Sequence, residues 1–244
     1  MKNKSRSTKI NKRALTLGII LAIVIIGGSA TAFLSMGQNN SNRSANTNQA
    51  DELIRLLVQP VSQNASALGN DGAKITIVEF GDYQCQYCAQ FHKGVRNELI
   101  NKYVNTGIVK FVFKDFVIND KPFNKASTLA ARASYCAADQ GKYWRYHDEV
   151  YNNSMGENTG WITKSSLNEF AINVQIPDSM KFTNCLDSQK HSEVVLENDA
   201  LAKSLGLKST PTFILVADGK QPLGIIGAQP FSVFQQAVSE LEKS

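Results

Sequence analysis

Between Arg13 and Arg43 the sequence has no charged residue. Inside that gap Ala14 to Phe33 is largely Leu, Ile, Val, Ala and Gly, and its 20 residues suffice to span a hydrocarbon core as a helix. Acid is missing from residues 1–13, which hold Lys2, Lys4, Arg6, Lys9, Lys12 and Arg13. With those six set aside, 20 basic residues face 21 acidic ones. A nucleic-acid partner argued from net charge is thereby excluded. The basic flank should stay in the cytoplasm and place the C-terminal part outside. A cleaved signal peptide is the other reading, with Ala30-Thr31-Ala32 as a small-residue cleavage site. The run exceeds a usual signal h-region, which favours a retained single-pass anchor over residues 14–35. A buried core helix fits poorly with the basic flank and the polar stretch that follows.

Cysteine is scarce, with four in 244 residues. In an exported chain four cysteines form disulfides more readily than they bind metal. No internal repeat is apparent, and the length suits one domain of ordinary size plus extras.

What the chain does have is organised around Glu79-Phe80-Gly81-Asp82-Tyr83-Gln84-Cys85-Gln86-Tyr87-Cys88. Strand alternation from Lys74 to Phe80 ends in a short polar turn. A helical pattern with Phe91, Val95, Leu99 and Ile100 follows the cysteines. Cys-x-x-Cys at a strand-to-helix junction is the sequence form of a thiol–disulfide site. Cys85 falls at the helix N-terminus, where free N–H groups and the macrodipole favour an exposed thiolate. Cys88, one turn on, is placed to resolve a mixed disulfide. A structural disulfide without turnover has the same spacing. A zinc reading would add His92, but zinc needs a fourth ligand and no nearby pattern supplies one, so no metal is expected.

Residues 1–13 read as a cytoplasmic basic segment and 14–35 as the anchor or signal. Residues 36–72 read as a linker holding a short helix from Asp51 through Val58, stopped by Pro60, and 73–244 as the folded domain. Within that domain a helix is expected from about Cys85 to Tyr103 and a strand over Ile108–Phe113. Helices are expected over Ala126–Asp139, Lys142–Asn152, Lys164–Ile172, Pro177–Asp187 and His191–Leu205. A hairpin pairs Phe213–Val216 with Leu223–Ile226, and a last helix runs from Pro230 to Leu241. Without the middle helices, a thioredoxin-type βαβ–ββα core is left. The fold class is therefore α/β, with a helical insertion at about 122–205.

Four segments together resemble the DsbA-like thiol–disulfide oxidoreductases. They are Val78 to Cys88; Ser134-Tyr135-Cys136-Ala137-Ala138 with Gln140-Gly141-Lys142-Tyr143-Trp144; Phe182-Thr183-Asn184-Cys185-Leu186; and Ser209-Thr210-Pro211-Thr212-Phe213. The resemblance implies Cys85 as nucleophile and Cys88 as buried resolving thiol. It implies Glu79 as the acid that exchanges a proton with Cys88, its pKa raised if it lies under the helix. Thr210-Pro211 is similar to the family's cis-proline loop, which offers backbone to an extended client by β-augmentation. Cys136 and Cys185 correspond to a second, structural disulfide; two free buried thiols are the alternative. Tyr143, Trp144, Tyr146, His147 and Tyr151 read mostly as core packing. The resemblance also implies no cofactor beyond the cysteines. It implies reduced or unfolded exported proteins as clients, and a membrane reoxidase of the DsbB or VKOR type. One departure concerns Gln86-Tyr87: the strong oxidants of this family carry histidine where Tyr87 stands. Electron flow toward reduction or isomerisation, or a non-redox binding module, are the competing readings.

Overall fold

The alternation at residues 74–80 becomes the central strand of a mixed sheet. The computed structural model describes residues 24–25, 52–59 and 66–243. In chain order the elements are β1 (Val24–Ile25), α1 (52–58), β2 (Ala67–Leu68), β3 (Ile75–Gly81), α2 (Gln86–Lys93) and α3 (Val95–Leu99). A π-helical turn, Ile100–Val104, and β4 (Val109–Asp115) follow. Then come α4 (Ala126–Ala138), α5 (Tyr143–Asn152), α6 (Lys164–Asn173), α7 (Ser179–Asp187), α8 (Ser192–Ser204), β5 (Thr212–Ala217), β6 (Leu223–Ile226) and α9 (Phe231–Glu242).

The sheet order is β1-β6-β5-β3-β4-β2. Strand β3 lies parallel to β4 and antiparallel to β5, the pairing of a thioredoxin-type core. Strand alternation sends successive side chains to opposite faces. Ile75, Ile77, Phe111, Phe213 and Leu215 pack one face against Phe91 of α2, Leu99 of α3 and Phe234 of α9. Val78, Phe80, Val112, Ile214 and Val216 pack the other against Leu57 of α1 and Leu201 and Ala202 of α8. A third cluster joins Tyr83, Cys85, Cys88 and Phe113 to the helical layer of α4–α7. Of the expected insertion, α8 belongs in part to the sheet: Val195 packs on the helical layer, while Leu201 and Ala202 reach the strands.

Three expectations need correction. The single helix over 85–103 is broken at Gly94, whose φ of −122° and ψ of −94° are not helical. Its N–H turns back to Phe91, and a glycine adopts such a geometry without side-chain cost. The linker over 36–72 is not wholly a tether. Ala67–Leu68 pair antiparallel with β4, and α1 buries Leu57, because each covers backbone or apolar surface that the sheet would otherwise expose. Within the expected membrane helix, Val24–Ile25 are extended and pair parallel with Leu223 and Gly224, completing an otherwise unpaired edge. The rest of 14–35, the basic segment 1–13, the Ala30-Thr31-Ala32 site and Asp51 lie outside the described residues. Among the described residues no helix is long and apolar enough to cross a membrane.

Candidate active site

Strand β3 delivers the chain to the site and Gly81 lets it arrive. A Cβ at Gly81 would meet the Phe113 ring at 2.5 Å, so only glycine fits. Asp82 then fixes the turn. Its carboxylate accepts from the N–H groups of Gln84 (2.8 Å) and Asn119 (2.9 Å) and from the Ser127 hydroxyl (2.7 Å). The Gln84 side chain donates to Ser127 and accepts from the Asn158 N–H. The turn before the cysteines is thereby tied to α4 and to the loop after α5.

Cys85 is the N-cap of α2, and its sulfur accepts from the Cys88 N–H at 3.4 Å. The Cys85 thiol donates to the carbonyl oxygen of Thr210 at 3.3 Å. Thr210-Pro211 is a cis peptide bond, and the Pro211 carbonyl accepts from the Gly227 N–H. Hydrogen bonding from the Cys88 side chain, with contributions from the Thr210 side chain and the Tyr87 and Cys88 backbone, lowers the Cys85 thiol to about 7 against the opposing effect of burial. The groups that lead this lowering are all hydrogen-bond partners. Cys88 is fully buried, and its thiol is pushed well above the usual range by burial and by the neighbouring Cys85 and Glu79. Both thiols are free. The pair thus combines a readily ionised sulfur with one that holds its proton. The expectation of an exposed Cys85 sulfur is corrected: the residue is 3% exposed, because the Thr210 loop covers it. The neighbouring Tyr87 is 53% exposed.

Glu79 follows Ile75 and Ile77 on the same strand face and is wholly buried. Burial raises its carboxyl well above the usual value, opposed by Arg96. Its partner is His92, whose Nε2 lies 3.1 Å from both carboxylate oxygens. Burial, with Arg96 in support, lowers the imidazole well below its usual value. Opposed shifts of this kind make the contact a neutral hydrogen-bonded pair rather than a salt bridge. The His92 ring stacks on Tyr151 (4.1 Å between centroids, 9°).

His92, which entered the sequence reading only through the zinc alternative, is buried because it lies one turn beyond Cys88, on the face of α2 that meets the helical layer. Asp82, Gln84 and Ser127 were not singled out from the sequence, and nothing in their local pattern marks them. Tyr143, Tyr146, His147 and Tyr151 are buried in the helical layer, with the Tyr83 hydroxyl 2.7 Å from His147 Nδ1. Cys136 of α4 and Cys185 of α7 are joined by a disulfide. Cys85, Cys88, Glu79, Thr210 and Pro211 meet at the sheet end of α2.

A family model described as Thioredoxin matches residues 62–229. The chain belongs to the thioredoxin family. Within it the protein is a DsbA-like thiol–disulfide oxidoreductase. It is 28% identical over 158 residues to disulfide bond formation protein D of Bacillus subtilis (strain 168), covering 63% of this chain and 68% of that protein. The oxidised crystal structure of BdbD from Bacillus subtilis superposes with a TM-score of 0.65 at 23% identity, over 76% of this chain and 97% of that one. Wolbachia pipientis alpha-DsbA1 gives a TM-score of 0.64 at 23% identity, over 78% and 94%. These two likenesses concern the fold of a DsbA-like protein, whose chemistry here rests on the cysteine pair.

Proposed function

We propose that this protein is an extracytoplasmic oxidase that introduces disulfides into exported proteins. The observation that carries the reading is the unequal cysteine pair: Cys85 lowered to about 7 at a helix start, and Cys88 buried behind it with its proton retained. In the oxidised enzyme a client thiolate attacks Cys85, and Cys88 leaves with the electron pair. A second client thiolate then attacks the client sulfur of the mixed disulfide and releases Cys85 as thiolate. Two electrons pass from client to enzyme. Glu79 supplies the proton that Cys88 takes. Thr210 and Pro211 present backbone to the client strand, and Cys136–Cys185 braces the helical layer. No cofactor beyond the cysteines is called for.

The uncharged stretch over 14–35, behind a basic segment, supports a single-pass anchor with the catalytic domain outside, in which Val24–Ile25 leave the β6 edge for the bilayer, or secretion after cleavage, which removes them. Within 36–72, the residues ahead of α1 then bridge anchor and domain, since α1 and β2 already pack on the sheet. Clients would be reduced or unfolded exported proteins, and a membrane reoxidase of the DsbB or VKOR type would restore the disulfide. The name of the Bacillus subtilis relative supports the same direction. Oxidation of a reduced, unfolded substrate by the full chain in detergent, with Cys85→Ser as control, tests it; no turnover by the wild type would sink it.

One observation favours the opposite flow. The lowering of Cys85 is led by hydrogen bonds rather than by a cationic side chain, and less thiolate stabilisation makes a weaker oxidant. A reduction potential near about −270 mV would assign a reductase, and one near about −120 mV an oxidase.

A further inference from the structure

Three buried polar groups outside the cysteine pair lie together between α2 and α5. His92 Nδ1 and His147 Nε2 have no hydrogen-bond partner among the described residues. Asp148 Oδ1 accepts no well-aligned hydrogen bond, although it sits 2.9 Å from Arg96 Nη1. One ring nitrogen of each histidine and one Asp148 oxygen lie within 4.8 Å of one another. His92 is 6% exposed and His147 is 0% exposed. The Asp148 side chain is 43% exposed, so the cluster runs from the core to the surface.

An unpartnered ring nitrogen in a packed core carries a desolvation cost that a bridging water removes, and buried waters typically make about three hydrogen bonds. A divalent cation suits this place less well, since the Arg96 guanidinium already faces Asp148. The ring orientations are fixed. His92 stacks on Tyr151 with Nε2 held by Glu79, and His147 Nδ1 is held by the Tyr83 hydroxyl. His92 Nδ1 and His147 Nε2 are thereby left as the two nitrogens open to a further partner.

We propose that His92, His147 and Asp148 hold a bridging water through which protons pass between solvent and the buried Glu79–Cys88 pair. The inference rests on the reading that Glu79 exchanges a proton with Cys88. In the oxidising direction the Cys85–Cys88 bond breaks, and the departing Cys88 thiolate takes the proton of Glu79. The carboxylate is recharged from His92 Nε2–H while Nδ1 accepts a proton from the water. The water draws its replacement from solvent past Asp148. Reduction of a client disulfide runs the same steps backward. The titratable or charged groups that face the two rings are Glu79, Arg96, Tyr83, Tyr143, Tyr151 and Asp148. His92 acts through Glu79, and His147 and Asp148 position the water.

The test uses the full chain with Glu79→Gln, His92→Gln, Asp148→Asn and Asp148→Glu. Single-turnover reaction of the oxidised enzyme with a small thiol is followed from pH 5 to 8 in H2O and D2O. His92→Gln and Asp148→Asn should slow the Cys88 step by roughly tenfold or more, flatten its pH profile and change its solvent isotope effect. The pH profile of Cys85 alkylation should stay in place, and Asp148→Glu should recover most of the rate. Wild-type rates and profiles in both His92→Gln and Asp148→Asn, with Glu79→Gln slow, would overturn the water path alone. A wild-type Glu79→Gln would overturn the role of Glu79 beneath it. If His92→Gln fails to fold, the surface pair at Asp148 decides.

Discussion

The Cys85 thiol donates its hydrogen to the Thr210 carbonyl, 3.3 Å away and 125 positions along the chain. In the dithiol state that carbonyl is occupied. Oxidation removes the S–H, and the carbonyl is then open to a client N–H. An extended client peptide should therefore bind the oxidised form more tightly. One hydrogen bond is worth about 0.5–1.5 kcal/mol, or roughly two- to tenfold in affinity. Titration of a thiol-free peptide against both redox forms measures the ratio, and equal affinities would contradict this account.

Alkylation of Cys85 should rise with a midpoint near pH 7, set by the lowered thiol, while Cys88 stays unreactive until well above the usual thiol range. The Thr210 side chain is one of the hydrogen-bonding groups that lower Cys85, and Thr210→Val removes its hydroxyl while keeping the carbonyl. It should move the midpoint upward, by about half a unit to one unit for a bond of ordinary strength. Iodoacetamide kinetics against pH, read by mass spectrometry for each cysteine, give both numbers.

Tyr87 is half exposed, and its side chain brings no positive charge to Cys85. Tyr87→His should lower the Cys85 midpoint and make the disulfide more oxidising. A tenfold change in the exchange equilibrium corresponds to about 30 mV for this two-electron couple. Equilibration with glutathione would reveal the shift; an unchanged potential would mean that residue 87 does not act on the sulfur.

Cys136 and Cys185 are 49 residues apart in sequence. Replacing both with alanine should cost about 2–4 kcal/mol by freeing the unfolded chain. Turnover at low temperature should persist, since the catalytic pair lies elsewhere. Thermal melts with and without the disulfide, beside an activity assay at 15 °C, separate the two effects.

Asp82 is raised from 3.8 to about 6, chiefly by burial. Between those values the native state holds a proton that the unfolded chain has released. Stability from this group is therefore full below 3.8 and is lost as pH rises through 6. Asp115, also raised to about 6 by burial, acts in the same sense. These two carboxyls should push the melting temperature up on going from pH 7.5 to 5. The buried His92 and His147 resist protonation and act in the opposite sense. Asp82→Asn should remove the Asp82 share of that slope. A slope unaltered by the substitution would remove Asp82 as its source.

Much of this was legible in advance because periodicity reports burial. Every strand and helix expected from Lys74 onward has a counterpart within two or three residues, apart from the break at Gly94. The role of Glu79 came from resemblance, while its burial had an unused signal in the parity it shares with Ile75 and Ile77. His92 had a signal too: it lies four residues after Cys88 and four before Arg96, one stripe of a helix. That stripe was hidden by the polarity of its members. The pairing of Cys136 with Cys185 came from resemblance, since helical spacing does not say which helices touch. Asp82, Ser127 and Asn158 were invisible because they meet through folds of the chain that no local pattern records. Val24–Ile25 read as part of a membrane span, since an apolar run does not distinguish lipid from a sheet edge.

The bonds from Asp82 to Ser127 and from Gln84 to Ser127 and Asn158 make the redox turn and the helical layer one mechanical unit. A chimaera that kept this sheet but borrowed its helices from another family member would sever those links. Its cysteines would remain in sequence and lose their bearing in space. Changes in the helices and changes in the redox turn would therefore have to be accommodated together.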